Sequence, residues 1–212
     1  MDTPMLKLYF AKGSCSLASH VALEEAGATY MLERVDLGSG DQRKPDYLKL
    51  NPKGRVPALL TDKGVLTENP AILAYVAQAF PQAGLAANGD SYAFAQMQAF
   101  NSFLATSVHV AFAHDKRPQR YADGEAAAQA MRAKAPAALA EYFGLIQERF
   151  ADGRPFVMGD QYTVADPYLF VFERWLKGDL GRLADYPAVA AHHARIAERP
   201  AVRAALAAED DQ

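Results

Sequence analysis

The chain has 212 residues, half of them apolar, and a formal net charge of -3. It is long enough for one large domain or two small ones sharing an interface, and it lacks the broad basic surface that polyanion binding needs, so nucleic acid is not an expected partner. A single cysteine, Cys15, excludes an internal disulfide and fits a reducing cytoplasm.

The opening residues Met1-Asp2-Thr3-Pro4-Met5-Leu6-Lys7 place an acid and a proline where a secretion leader carries basic residues and an apolar run. Leu6, Leu8 and Phe10 alternate with Lys7 and Tyr9, the period of a first strand, and Gly13-Ser14 supplies the turn after it. A helix is expected over 16–26, stopped by Gly27, and a second strand over 30–37. Residues 38–50 read as a loop with a short helical turn. Ala58-Leu59-Leu60 and Val65-Leu66, joined by Asp62-Lys63-Gly64, read as an antiparallel hairpin. The spacing of Ile72, Leu73, Val76 and Phe80 is helical, with Thr67 or Asn69 as the cap. This helix is the longest nearly apolar segment. It is interrupted by Gln78 and is about half the length that a membrane-spanning helix needs, so a soluble protein with no membrane contact is expected.

The order to this point is β-α-β-α-β-β-α. Beyond it no strand pattern occurs. Phe94, Met97, Asn101, Leu104, Val108 and Phe112 form a helical stripe, and 125–150 read as a helix that Pro136 kinks or divides. Thr163-Val164-Ala165-Asp166 has the pattern of a capping box before Tyr168-Leu169-Phe170-Val171-Phe172, a structural role. A last helical pair around 187–208 precedes an acidic tail, Glu209-Asp210-Asp211. The expected fold is an α/β N-terminal domain over 1–82, a linker over 83–90 and an all-α C-terminal domain over 91–212.

Cys15 stands between the first strand and the first helix. Free amides and the positive dipole end of a helix favour a thiolate there, whereas a lone cysteine also reads as an inert, buried apolar residue. Thr67-Glu68-Asn69-Pro70 reads either as a capped helix start or as an anion site, and Pro57 alone as an ordinary loop proline. His20 lies about 140 degrees around the helix from Cys15 and reads as a packing residue. His192 and His193 are neighbours on a helix and diverge, so no metal site is expected.

Tyr9-Phe10-Ala11-Lys12-Gly13-Ser14-Cys15-Ser16-Leu17, Asn51-Pro52-Lys53-Gly54-Arg55-Val56-Pro57, Leu66-Thr67-Glu68-Asn69-Pro70-Ala71-Ile72 and Thr163-Val164-Ala165-Asp166 resemble, in order, the landmarks of cytosolic glutathione transferases. The first of them, with its cysteine, is most similar to the bacterial beta class. The resemblance implies a thioredoxin-like N-terminal domain, a helical C-terminal domain and a homodimer, with glutathione as co-substrate and no permanently bound cofactor. It also implies that Pro57 is a cis-proline and that the Val56 backbone pairs with the cysteinyl part of glutathione like an added strand. Amides at Glu68 and Asn69 suit the γ-glutamyl carboxylate, and the Glu68 carboxylate suits its ammonium.

The same resemblance places His109 within reach of Cys15, where it favours a thiolate and exchanges a proton with it; a satisfied interface histidine is the alternative. Val110 stands where a lysine is common and Ser102 where an asparagine is common. Ser14, Cys15 and His109 are the expected catalytic residues, Val56, Pro57, Glu68, Asn69 and Ser102 the glutathione contacts, and Val110, Phe112 and Trp175 the electrophile pocket. The expected function is conjugation of the glutathione thiol to hydrophobic electrophiles, with Cys15-dependent thiol-disulfide exchange or peroxide reduction as a second activity. A ligand-binding or regulatory protein of the same fold with little turnover is the alternative. A glutaredoxin with an appended domain would want a two-cysteine or similar redox motif, which this chain lacks.

Overall fold

A computed structural model describes residues 6–87 and 89–211. Met1 to Met5, on which most of the leader expectation rests, and Asn88 of the expected linker lie outside the described residues. The N-terminal part has the element order read from the sequence: β1 (Leu6–Phe10), α1 (Ser16–Glu25), β2 (Tyr30–Arg34), α2 (Pro45–Leu50), β3 (Ala58–Thr61), β4 (Gly64–Thr67) and α3 (Asn69–Ala79). The sheet runs β2-β1-β3-β4, with β2 parallel and β3 antiparallel to the central β1. Leu8 sits opposite Leu32 on one side and Leu59 on the other.

Two local expectations change. The second strand stops at Arg34, three residues early. Val35 still donates to the Phe10 carbonyl at 2.8 Å, but the Asp36 carboxylate then accepts from Gly38 and Ser39 at 2.8 and 3.3 Å and folds the chain into a turn. The cap of α3 is neither Thr67 nor Asn69. Thr67 is held in β4 opposite Ala58, and Glu68 caps the helix with φ 72°, a left-handed backbone unusual for a residue with a side chain.

The helical part comprises α4 (Ser91–Phe103), a π-helical turn over Leu104–Val108, α5 (His109–Lys116), α6 (Glu125–Arg149), α7 (Ala165–Leu180), α8 (Pro187–Ala197) and α9 (Pro200–Asp210). Pro136 lies inside α6 without dividing it. The acidic tail is not a tail: α9 continues through Glu209, which is buried and meets His20 Nδ1 at 3.2 Å. Fully buried, the His20 ring also packs against Phe10 and Tyr30, with centroids 6.1 and 5.7 Å away, in keeping with its reading as a packing residue.

α1 packs against β1, α3, α7 and α9, so Ser16 through Leu23 are all buried and the helix has no continuous solvent face. One apolar core therefore runs through both parts. In the helical part, Asp166 accepts from the Val157 and Thr163 amides at 2.7 Å each. His192 lies between Asp166 and Glu173 at 3.1 and 2.7 Å, all three fully buried. The expected capping box is thus present, and it extends into a buried ionic network.

Candidate active site

A cleft of about 370 Å³ opens where the C-terminal end of β1 faces α5 and α7. Its floor is the turn 11–15. Ser14 N donates to the Ala11 carbonyl at 3.0 Å, and the Ser16 hydroxyl bridges both polar groups of Ala11, at 3.1 and 3.3 Å. The Ser14 and Ser16 hydroxyls are 2.7 Å apart. Because the Ser16 hydroxyl gives its one hydrogen to the Ala11 carbonyl, Ser14 is the donor of that pair, and its hydrogen must turn from Ser16 to reach a ligand in the cleft that Ser14 lines.

Cys15 caps α1 and lines the same wall, but it is only 9% exposed, and its thiol reaches the Val56 carbonyl at 3.7 Å. Burial pushes its pKa up to about 12, against the smaller opposing effects of a backbone amide and Arg117. The expectation of a thiolate is therefore corrected. The helix start does lower the pKa, but removal from water outweighs it, and Cys15 is a neutral thiol at neutral pH.

Next to the Cys15 thiol runs the segment 51–57. Asn51 is buried; its Nδ2 and the Tyr47 hydroxyl both donate to the Arg55 carbonyl at 2.7 Å, and its Oδ1 accepts from Lys53 N at 3.2 Å. Gly54 has φ +60°, and a Cβ there would lie 2.9 Å from the Gln42 carbonyl, so the turn admits only glycine without a shift. The Val56-Pro57 bond is cis, and Val56 lines the cleft. Asn51 and Tyr47 were not singled out from the sequence, although Asn51 opens the quoted motif.

Glu68 and Asn69 lie outside the cleft wall. The Asn69 side chain is buried, donating to the Cys15 carbonyl at 2.8 Å and accepting from Ser19 at 2.6 Å, so it braces the start of α1 and leaves only its backbone for a ligand. The Glu68 carboxylate is largely exposed and ion-paired with Lys53 at 2.5 Å. Its charge is close enough to oppose deprotonation of Cys15 and to favour protonation of His109.

From the helical side come His109, Phe112 and Trp175. His109 is the first residue after the π-helical turn, and its ring packs against Phe172 and Trp175 with centroids 5.6 and 5.3 Å apart. Burial, then Arg117, Arg55 and Arg120, pull its pKa down to about 4, so the imidazole is neutral. Trp175 Nε1 donates to the Gly13 carbonyl at 3.0 Å, tying α7 to the cysteine turn. Ser102 is exposed on α4 and, like Val110, does not line the cleft. The structure thus brings together Ser14, Cys15, Val56, His109, Phe112 and Trp175. It adds Arg55, Arg117 and Arg120, whose convergence the sequence order conceals.

Among the described residues no helix is long and apolar enough to cross a membrane. Residues 4–78 match the family model "Glutathione S-transferase, N-terminal domain", and residues 113–209 match "Glutathione S-transferase, C-terminal domain". The chain is 35% identical over 210 residues to glutathione S-transferase GstA of Escherichia coli O157:H7, covering 96% of this chain and 98% of that one. Among solved structures it is similar to a glutathione transferase homologue of Sulfitobacter with bound glutathione, at 40% identity and a TM-score of 0.90 over 98% of both chains. It is also similar to a beta class glutathione S-transferase of Sphingomonas chungbukensis, at 38% identity and a TM-score of 0.83 over 96% of this chain and 98% of that one. With the thioredoxin-like sheet, the helical part and matches to both domains in order, this chain belongs to the glutathione S-transferase family of enzymes, and the likeness to its beta class holds.

Proposed function

We propose that glutathione lies in the cleft with its sulfur at the start of α1, and that the protein stabilises the sulfur as a thiolate with neutral donors. The observation that carries this reading is that Ser14, Cys15, Val56 and His109 line one cleft, where burial holds Cys15 as a thiol and His109 as a neutral imidazole. Neither partner of a thiolate–imidazolium pair is charged. The Ser14 hydroxyl, once turned from Ser16, the Cys15 S–H and an N–H of His109 are donors suited to a developing negative charge. A free thiol near pKa 8.5 is mostly protonated at neutral pH, so lowering that value is the enzyme's first task. The glutathione sulfur then attacks the electrophile, and its proton leaves to solvent.

In this reading residues 1–82 form the glutathione domain, 83–90 the linker, and 91–212 the domain that borders the electrophile. The Val56 backbone before cis-Pro57 pairs with the cysteinyl part of glutathione. The amides at the start of α3, Glu68 and Asn69, take the γ-glutamyl carboxylate, and the Glu68 carboxylate exchanges Lys53 for the ligand's ammonium. Bound glutathione in the Sulfitobacter homologue supports the ligand. The resemblance supports a homodimer, and the lone free thiol supports a cytoplasmic location.

Conjugation is favoured over exchange because a buried, protonated Cys15 is a poor nucleophile. The test compares wild type with Cys15→Ala, measuring the pKa of bound glutathione by its thiolate absorbance, conjugation of a neutral aryl halide, and reduction of a mixed disulfide. Conjugation is expected to survive in Cys15→Ala within about tenfold, the loss of one weak donor. Loss of all conjugation, with fast disulfide exchange in wild type, would reverse the roles assigned here.

A further inference from the structure

The cleft carries more positive charge than glutathione can use. Arg55, Arg117 and Arg120 line it, and none of them forms an ion pair with a described carboxylate. Other cations of the same wall are committed: Lys12 to Asp210 at 3.0 Å, and Lys116 to Asp115 and Asp179 at 3.6 and 3.9 Å. Asp36 and Asp179 are the carboxylates of the same lining, and Asp179 faces Lys116; burial, with Arg117, Arg55 and Arg43 nearby, pulls the Arg120 pKa below that of an ordinary guanidinium.

Glutathione brings two carboxylates and one ammonium. In the reading above one carboxylate goes to the start of α3, and Arg55, adjoining Val56, suits the other. Arg117 and Arg120 remain, on the segment following α5, which also supplies Phe112 to the cleft beside Trp175. They lie on the side where the second substrate would bind.

Resting on that reading, we propose that the second substrate is an anionic electrophile, an aryl or short alkyl compound bearing a carboxylate or sulfonate, whose charged group is held by Arg117 and Arg120 while its apolar body meets Phe112 and Trp175. A guanidinium fork matches a carboxylate in two parallel hydrogen bonds. This narrows the expected hydrophobic electrophile to one with a charged end.

The experiment uses the full chain at saturating glutathione with para-chloro-meta-nitrobenzoate and its primary amide, which share the reacting carbon. In both, the glutathione thiolate attacks the carbon bearing chlorine. The C–S bond forms, the C–Cl bond breaks, chloride leaves with the electron pair, and the thiol proton goes to solvent. The benzoate-to-amide ratio of kcat/KM, divided by the same ratio for the uncatalysed reaction, is expected to be about tenfold in favour of the benzoate, and to fall as salt is added. In the double variant Arg117→Gln/Arg120→Gln the preference is expected to disappear, and in the corresponding lysine variant part of it returns. Circular dichroism checks that the variants fold. A wild-type ratio equal to the uncatalysed one, or a preference unchanged in the glutamine variant, overturns the proposal; glutathione binding by calorimetry and amide turnover, both read in wild type, then still uphold the transferase reading. Absence of both glutathione binding and amide turnover overturns the underlying transferase reading as well.

Discussion

His109 and His192 are the same side chain placed in opposite fields. Burial lowers the pKa of each. At His109 the surrounding charges, Arg117, Arg55 and Arg120, push the same way and take it down to about 4. At His192 burial is outweighed by Glu173 and Asp166, which carry it up to about 9. One histidine is neutral beside an open cleft with unpaired cations, and the other is a cation sealed between two anions. The helical interior holds His192 between its own carboxylates, and the cleft leaves Arg55, Arg117 and Arg120 without a described carboxylate.

The largest effect is expected from removing the satisfied histidine. His192→Ala leaves Asp166 and Glu173 buried without their cation, and chemical denaturation at neutral pH should show a loss of about 3–5 kcal/mol. His109→Ala should cost less, because the neutral imidazole leaves no buried charge orphaned when it is removed. Equal losses would erase the contrast between the two sites.

The same pair should divide the pH dependence of stability. The folded pKa of His192 is raised above 6.5, so its contribution is fully present below about pH 6.5 and is lost as pH rises through about 9. It amounts to about 3 kcal/mol at most. The folded pKa of His109 is depressed, so its contribution is present above about pH 6.5 and is lost as pH falls through about 4. Denaturation midpoints measured from acid to alkaline pH should lose the alkaline limb in His192→Gln and part of the acid limb in His109→Gln. An alkaline limb unchanged in His192→Gln would show that the buried histidine is not the charged form.

Much of this division could be read in the sequence, and the unread part has a common cause. The alternation of Leu6, Leu8 and Phe10 and the capping pattern at Thr163 to Asp166 are local, and both elements form as read. Periodicity shows which residues turn inward, but not how many neighbours cover them. Thus α1, enclosed by α3, α7 and α9, hides its serines and His20, and Glu209 looks like part of a solvated tail until His20 is placed against it. The same holds for Cys15: a helix start is visible in the sequence, whereas the depth that raises its pKa is not. Arg55 lies more than sixty residues from Arg117 and Arg120 in the chain, and only the packing of the two parts sets them on one cleft.

Cys15 offers a smaller measure of how closed the sulfur end of the cleft is. A thiol with its pKa raised to about 12 is almost wholly protonated at neutral pH, so alkylation of Cys15 by iodoacetamide at pH 7 is expected to be at least about 100-fold slower than that of free glutathione. Labelling as fast as the free thiol would mean that the cleft, like the helical interior, holds an ionised group at rest.

The smallest effect concerns the bond that joins the two parts at this point. Trp175 belongs to the same helix as Glu173 of the buried network, and its Nε1 donates to the Gly13 carbonyl, two residues before Cys15. Trp175→Phe keeps an aromatic ring against His109 and Phe112 but removes that donor, so stability should fall by about 1 kcal/mol, the ordinary net value of one hydrogen bond. If the indole also holds the turn closed over the thiol, alkylation of Cys15 should accelerate in the variant while the alkaline limb set by His192 stays where it is. Faster labelling with an unshifted limb would locate the change in the cleft alone. A shift of both would show that α7 transmits it into the buried network, and that the two histidines are less independent than their opposite fields imply.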